Sequence, residues 1–382
     1  MTVAGFTSTG SKRPDLLFGV NAAGVPHRMT RCGGCVIHAS DDREYLDFIM
    51  ALGTVALGYG DPNVSDAVID AVRRGTIGSL APEEEAALAT EVQEQMPWLE
   101  EVRFLKSGAE AVAAAVRIAR VVTTRELILG CGYHGWLDWC SDTAGVPAAT
   151  RNQFTTIPFN DVGRGRDAIR AGADHLACVV VEPVIDGAPS IEWLAMLREE
   201  TARIGALLIF DEIKTAFRIA IGGAAAVFGI EPDLMVLGKA IANGYPLAVV
   251  GGRHVIMKGT ARTWISSTTA TEFVSLAAAR ATIRVMCSQN VPLHLAAVGG
   301  RLLAGLERLA VEHAGRGIRA MGVPQMCYLR YDDDALSQHV AAECARRGLL
   351  FKRTAYNFVS LAHSDRHVDT ALEILAESLA GC

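Results

Sequence analysis

The stretch that decides the fold runs from residue 206 to residue 239 and reads ALLIFDEIKTAFRIAIGGAAAVFGIEPDLMVLGK. It holds two apolar runs, Ala206–Phe210 and Leu234–Leu237, and each run stops abruptly at polar residues. Such short bounded runs predict strands that are buried on both faces of a sheet. Asp211 and Lys239 come just after the two runs, so we expect an acid and a lysine at the carboxyl ends of strands. Open α/β sheets bind their ligands at that edge.

An acid and a lysine in this arrangement suit pyridoxal phosphate (PLP). The lysine amine forms an imine with the cofactor aldehyde, and the acid keeps the pyridine nitrogen protonated, which makes the ring an electron sink. The ordinary alternatives are a helix cap for Asp211 and a solvated loop position for Lys239.

The rest of the chain alternates between strand and helix patterns. Apolar runs predict further strands, and helical periodicity predicts helices between them, so the sequence indicates a parallel sheet with right-handed crossovers. The predicted strands are Val102–Leu105, Glu126–Gly130, Ala177–Val181 and Leu247–Val250. Residues 146–174 show little pattern and are expected to be mostly loop.

The opening stretch resembles the signature of the class III, or ornithine-type, PLP-dependent aminotransferases. The matching residues are Asp211, Glu212, Ile213, Phe217, Arg218, Gly238 and Lys239. The resemblance runs from about residue 34 to the end, and its nearest branch is that of the glutamate-1-semialdehyde aminomutases. It implies fold type I, with a large domain of mostly parallel sheet covered by helices on both faces, and a smaller α/β domain. The implied domains are 1–51 (N-terminal part of the small domain), 52–268 (large PLP-binding domain) and 269–382 (C-terminal small domain).

Ser107 and Gly108 open a predicted helix, where free backbone N–H groups and a hydroxyl suit a phosphate. The alternative is an ordinary N-cap. The segment resembles the phosphate loop of the family, and Ala109 stands where many members carry a hydroxyl. The resemblance therefore implies that Ser107, Gly108 and Ala109 bind the cofactor phosphate with few side-chain groups.

The resemblance implies four more cofactor contacts within one chain. Tyr133, in a Tyr-His-Gly segment, lies against the PLP ring, where stacking suits a cationic ring; the alternative is a buried core tyrosine. Ile213 packs on the opposite face, and His134 is a further cofactor-binding residue. Glu182 follows a strand and either faces the site or caps a turn.

Thr268 is the residue implied to reach the cofactor phosphate of a neighbouring subunit, which makes the expected assembly a homodimer with shared active sites. Many family members continue with Asn-Pro where this chain has Glu272 and Phe273. Because of that departure, Thr269 is an alternative to Thr268.

The implied activity is that of a PLP-dependent aminotransferase, which moves an amino group from a small-molecule amine donor to a keto or aldehyde acceptor. Lys239 and Asp211 are its catalytic residues. An aminomutase, epimerase or decarboxylase would use the same chemistry, whereas the presence of both residues argues against a non-catalytic binding paralogue.

The substrate is indicated only by scattered residues. Arg218 and Arg353 are either carboxylate-binding or structural. Trp136 and Trp139 either line a pocket for a ring-shaped ketone, such as a cyclitol, a sugar or an aromatic precursor, or pack under their loop.

Composition excludes several other classes. The 382 residues carry a net charge of −6 without a basic run, so no nucleic-acid partner is expected. The nine cysteines are scattered, and Cys32 and Cys35 form the only close pair, so no metal site is expected. No apolar run is long enough to span a membrane, and the N-terminal residues lack the pattern of a signal peptide. These features predict a cytoplasmic protein with free thiols.

Overall fold

The computed structural model describes residues 3–381, which form two units by their internal contacts. One unit comprises the chain up to Pro62 and again from Asn290 onward, and the other comprises Asn63–Gln289. The strands are β1 (Met29–Gly33), β2 (Val36–Ala39), β3 (Glu44–Asp47), β4 (Glu101–Leu105), β5 (Leu127–Cys131), β6 (Phe154–Thr156), β7 (Leu176–Val181), β8 (Leu207–Asp211), β9 (Leu234–Leu237), β10 (Ala248–Gly252), β11 (Ile318–Val323), β12 (Met326–Tyr331), β13 (Leu349–Leu350) and β14 (Asn357–Phe358).

Helices separate most of these strands. They are α1 (Pro14–Phe18), α2 (Met50–Gly53), α3 (Pro62–Arg74), α4 (Glu83–Gln95), α5 (Gly108–Thr123), α6 (Ala148–Arg151), α7 (Val162–Ala171), α8 (Ile191–Ile204), α9 (Gly223–Phe228), α10 (His254–Met257), α11 (Phe273–Ser288), α12 (Val291–Glu312), α13 (Asp334–Arg346) and α14 (Asp365–Ala380). Short 3₁₀ turns add Gly10–Lys12, Asp138–Cys140, Lys239–Ala242, Lys258–Arg262 and Ala314–Arg316.

The larger unit is built on a seven-stranded sheet in the order β4-β10-β9-β8-β7-β5-β6. Only β10 runs antiparallel to its neighbours, so the sheet is mostly parallel, as the sequence predicts. Every residue of β7, β8 and β9 is buried, which explains why these strands read as unbroken apolar runs. Helix α5 packs against β7, β9 and β10 through small and branched apolar residues that recur at helical spacing.

The smaller unit combines two sheets with helices, which agrees with the expected α/β character. One sheet has the order β1-β2-β3-β13, and the other has the order β11-β12-β14. Strands β2 and β3 form a hairpin, and Asp42 in its turn adopts a left-handed backbone with φ 61°. Helix α12 packs against α14 and β11.

The expectation of a loop over residues 146–174 is wrong, because β6 and α7 lie there. Helix α7 reads VGRGRDAIRA, and its two glycines and three arginines hide the apolar periodicity. Only Gly165 and Ile169 of this helix are buried, and the helix is held in place by packing against α8. Tertiary contact therefore decides a structure that local pattern does not show.

The structural division falls after Pro62 and after Gln289, later than the sequence-based boundaries after residues 51 and 268. The reason for the second difference is α11. This helix packs against α4 and against the short turn Lys239–Ala242, and both elements belong to the larger unit. Separately, no helix among residues 3–381 is long and apolar enough to cross a membrane.

Candidate active site

Asp211 and Lys239 follow neighbouring parallel strands. Asp211 ends β8 and lies opposite Val236 of β9, and the backbone N–H of Glu212 donates to the Val236 carbonyl at 2.9 Å. Lys239 comes two residues after the end of β9 and adopts a left-handed backbone with φ 48°. A lysine in that conformation is strained, and such strain persists where the surrounding structure fixes it.

The Asp211 carboxylate is sealed from water and held by two donors. Its side chain is 2% exposed, and Oδ2 lies 2.9 Å from Nδ1 of His134. Since a carboxylate only accepts hydrogen bonds, Nδ1–H of His134 donates. The backbone N–H of Ile213 donates to Oδ1 at 3.3 Å. The His134 ring in turn stacks on Trp139, with the ring centroids 6.2 Å apart. A buried negative charge is thus fixed at the strand end.

The Lys239 amine has a pKa lowered to about 8. Burial is the main cause, and the positive charge of Lys214 is the second. Arg218 lowers the pKa further, while the negative charges of Glu182 and Asp211 oppose the shift. A substantial fraction of this amine is therefore neutral near pH 8, and a neutral amine is the form that attacks a carbonyl carbon.

Glu182 connects three strand ends. Lys214 lies in the turn after β8, and its Nζ is 2.8 Å from Oε1 of Glu182, which follows β7. The backbone N–H of Tyr133, which follows β5, donates to Oε2 at 2.8 Å. Gly132 has φ +111°, and a Cβ there would lie 2.5 Å from Oε2, so only glycine fits this close approach. Lys214 is not among the site residues expected from the sequence, although its place three residues after Asp211 is a signal that could have identified it.

Ser107 is the N-cap of α5. Its hydroxyl accepts from the Glu110 backbone N–H at 3.3 Å, and its backbone N–H donates to Oε2 of Glu110 at 2.8 Å, which together form a capping box. The Ser107 hydroxyl also donates to Oε2 of Glu110 at 2.9 Å. The backbone N–H groups of Gly108 and Ala109 make no hydrogen bond within residues 3–381. Two free donors at the start of a 16-residue helix have the geometry that suits an anion.

The loop after β5 lies directly on this helix start. Gly135 has φ +105°, and a Cβ there would lie 2.7 Å from Cβ of Ala109. Tyr133 is 70% exposed, which excludes the alternative of a buried core tyrosine. The two tryptophans differ in burial. Trp136 is 75% exposed, whereas Trp139 packs under the loop against His134 and Phe154.

Thr268 and Thr269 are both exposed, and neither hydroxyl makes a hydrogen bond within the described part of the chain. The preceding backbone is anchored by two arginines that the sequence does not single out. Arg103 donates to the carbonyl of Ile265 at 2.7 Å, and Arg117 donates to that of Trp264 at 2.9 Å. The segment is therefore fixed to β4 and α5 while the threonines face outward.

A second ion pair that the sequence does not predict joins the end of β4 to the start of α11. Lys106 lies 2.6 Å from Oε1 of Glu272, and both side chains are largely buried. Glu272 also caps α11 by accepting from the backbone N–H groups of Val274 and Ser275. The glutamate that departs from the family pattern is thus held by a lysine next to Ser107.

Neither candidate arginine presents an exposed guanidinium. Arg218 is fully buried, and burial lowers its pKa to about 9. Arg353 belongs to the smaller unit, where it forms an ion pair with Asp334 and donates to the Ser337 hydroxyl at 3.0 Å. Arg353 is thus engaged by side chains of its own unit, and Arg218 is closed off from solvent. Among residues 3–381, no group of three or more His, Cys, Asp or Glu side chains is arranged to hold a metal ion.

Comparisons with known proteins match nearly the whole chain. The sequence profile of the family described as "Aminotransferase class-III" matches residues 18–379. The 3-aminobutyryl-CoA aminotransferase of Cloacimonas acidaminovorans is 31% identical over 91% of this chain and 87% of its own length. The glutamate-1-semialdehyde 2,1-aminomutase of Thermomicrobium roseum is 33% identical over 91% and 89%. The PLP internal aldimine form of the Sphingopyxis sp. MTA144 FumI protein has a TM-score of 0.93 and 27% identity, over 100% of this chain and 93% of that one.

Proposed function

This chain belongs to the class-III aminotransferases and is a PLP-dependent enzyme, and from this we propose the roles of two residues. Lys239 carries the cofactor, and Asp211 keeps the cofactor ring positively charged. The reaction moves an amino group from a small-molecule amine to a keto or aldehyde acceptor. The observation that supports these roles is the buried amine of Lys239 placed beside the sealed carboxylate of Asp211 at adjacent strand ends. When bound, PLP supplies an electron sink for the substrate carbanion.

The residues around this pair fit the parts of the cofactor. The free N–H groups of Gly108 and Ala109 would hold the phosphate, since helix N-termini favour anions. The hydroxyl of Ser107 is occupied by Glu110, so its main contribution is to cap the N-terminus of α5. The exposed ring of Tyr133 and the half-buried Ile213 would flank the ring of the cofactor.

His134 and Glu182 act indirectly, by positioning other residues of the site. His134 holds the Asp211 carboxylate, and Glu182 holds the backbone of Tyr133. Lys239 would hold the cofactor, and its Nζ atom would also accept and donate the proton of the substrate carbon. An amine with a pKa near 8 is suited to both acceptance and donation.

The assignment of Lys239 is tested by trapping. Borohydride reduction of the purified protein should abolish its visible absorption band and leave the cofactor on the peptide that contains Lys239. Lys239→Ala should lose turnover and the trapped adduct. Reduction onto Lys214 instead would show that the assignment is wrong.

We further propose a homodimer with shared active sites. Two backbone donors at the start of α5 are too few to hold a phosphate alone. Thr268 or Thr269, which is exposed and makes no hydrogen bond through its hydroxyl within the described residues, would supply a further contact to a neighbouring subunit.

We also propose a cytoplasmic location, in keeping with the free thiols of the described cysteines. Sedimentation and cell fractionation test these two proposals.

An aminomutase is the second candidate function, because several relatives, including the one from Thermomicrobium roseum, bear that name. The two reactions differ in their products. A transaminase converts the amine donor alone into a released carbonyl compound and stops until an acceptor is added. A mutase converts one substrate into its isomer without a second substrate. Single-turnover product analysis by mass spectrometry distinguishes them.

The substrate screen should cover amine donors, including β-amino acid derivatives, against linear and cyclic carbonyl acceptors. The name of the Cloacimonas acidaminovorans relative motivates the β-amino donors. The exposed Trp136 motivates the cyclic ketones, because an aromatic ring at the site favours flat or ring-shaped partners. Trp136→Ala should reduce turnover of a cyclic acceptor more than that of a linear one.

A further inference from the structure

Lys214 is the second lysine of the site. Its side chain is only 12% exposed, its partner Glu182 is 6% exposed, and the two charged groups lie 2.8 Å apart. A lysine that is this deeply buried is normally held by a specific partner, because a charge taken out of water is costly when it is unpaired.

The second relevant fact is how the acids near Lys239 are used. Glu182 is engaged by Lys214 and by the Tyr133 N–H, and Asp211 is engaged by His134 and by the Ile213 N–H. Each acid therefore has its donors already. Correspondingly, the Lys239 amine makes no ion pair with a side chain of residues 3–381.

We propose that Lys214 is a positioning residue of the active site, which by holding Glu182 in an ion pair withholds that carboxylate from Lys239 and keeps the Lys239 amine available as a nucleophile. The inference rests on the proposed role of Lys239. It assigns Lys214 a function toward the bare protein, before any cofactor is bound.

The signs of the surrounding charges support this role. The charged groups that act on Lys239 are Lys214, Glu182, Asp211 and Arg218, and His134 is hydrogen-bonded to Asp211. Lys214 lowers the pKa of the Lys239 amine and Glu182 raises it, so the two charges oppose each other, and burial is the largest cause of the lowered pKa. Without the charge of Lys214, Glu182 would be an unpaired buried anion, and it would stabilise the protonated amine.

The test measures the pKa of Lys239 in the full-length apoprotein by competitive amine labelling at a series of pH values, with mass spectrometry of the Lys239 peptide. In Lys214→Met the pKa should rise by about one unit or more, the usual size of the effect of a close opposite charge. Lys214→Arg, which keeps the charge, should stay near the wild type. Lys258→Met removes an exposed lysine with the same change of charge and should leave Lys239 unmoved.

Two more variants keep the test decisive if Lys214→Met folds poorly. Glu182→Gln removes the anion and should lower the pKa of Lys239 below that of the wild type. The double variant Lys214→Met/Glu182→Gln should return it to near the wild-type value. If Lys214 were only a structural ion-pair partner, the single variants would lower the melting temperature and leave the pKa of Lys239 unchanged, and that result would overturn the inference.

Failure of the inference can be separated from failure of the proposed function. Borohydride trapping of the wild-type holoenzyme reports which lysine carries the cofactor. Suppose that the trapped adduct is on Lys239. If the pKa of Lys239 is then unchanged in Lys214→Met, or is not lowered in Glu182→Gln, only the role of Lys214 is overturned. An adduct on another lysine overturns the proposed function itself.

Discussion

Asp211 carries a charge that is fixed before any ligand arrives, because His134 and the Ile213 N–H hold both of its oxygens. Asp211→Asn should keep the fold but lower turnover by roughly 100-fold, the typical loss when one preorganised electrostatic group is removed. A neutral amide cannot hold the proton of a pyridinium by charge. Turnover and the circular dichroism spectrum are the measurements. Asp211→Glu retains the charge and serves as the control, and near-normal turnover of Asp211→Asn would remove Asp211 from the mechanism.

The sequence predicts single residues of this site better than pairs of residues. Asp211 and Lys239 can be found because each follows a short apolar run, which is a local pattern. The pairs of Asp211 with His134 and of Glu182 with Lys214 arise because β7 lies beside both β8 and β5. Strand order is a property of the whole sheet, so no local pattern reveals these contacts.

Asp47 gives a pH dependence to the smaller unit. It is buried and accepts from the Ile49 N–H at 2.7 Å and from the Tyr59 hydroxyl at 2.6 Å, yet burial outweighs these bonds and raises its pKa to about 6. A pKa above the ordinary value of 3.8 means that the folded state binds the proton more tightly. The stabilisation is therefore complete below about pH 4 and is lost as the pH rises through about 6.

Asp47→Asn should remove this dependence. The melting temperature of the variant, relative to that of the wild type, should rise between pH 4 and pH 6 and then level off. Tyr59→Phe removes a hydrogen bond to the anion, so it should raise the pKa of Asp47 further and shift the window upward. A difference between Asp47→Asn and wild type that is constant from pH 4 to pH 7 would contradict the assignment.

At the scale of elements, the ion pair of Lys106 and Glu272 joins the end of β4 to the start of α11. Lys106→Met should lower the free energy of unfolding by about 3 kcal/mol, since it leaves a largely buried carboxylate without its cation. Denaturant unfolding measures this change. Arg74→Met, which removes an exposed partner of Asp70 and Glu84, is the control and should lower the free energy of unfolding much less, because water screens an exposed ion pair. If the two substitutions lower the free energy of unfolding equally, the buried ion pair does not stabilise the contact between the end of β4 and the start of α11.

Elements differ in how well the sequence predicts them. The bounds of β9 match the predicted run, and those of β7 and β8 differ by one residue, because buried parallel strands are uniformly apolar. Helix α7 is missed because few of its residues touch the core. A helix stabilised by its neighbour instead of by its own amphipathic face leaves little trace in the sequence.

At the scale of the whole molecule, shared active sites make a distinctive prediction about mixed dimers. Lys239→Ala and Thr268→Asp should each be inactive, the second because its carboxylate repels a phosphate. If Thr268 acts across the interface, a mixed dimer has one site with both lesions and one with neither, so activity should return when the two inactive proteins exchange subunits. Thr269→Asp in place of Thr268→Asp tests the alternative threonine.

No return of activity with either threonine variant, although subunit exchange is shown by mass spectrometry, would mean that each chain completes its own site. A protein that sediments as a monomer with the cofactor fully bound would also contradict the shared-site proposal.

The left-handed backbone at Lys239 has a consequence for engineering. A side chain with a Cβ atom costs about 1 kcal/mol in this conformation, whereas glycine adopts it freely. Lys239→Gly should therefore melt at a higher temperature than Lys239→Ala, although both lack the amine. The glycine variant also leaves the most room for a small diffusible amine, such as methylamine, to replace the missing side chain. This position thus offers a route to an enzyme whose activity is switched on by a compound added from outside.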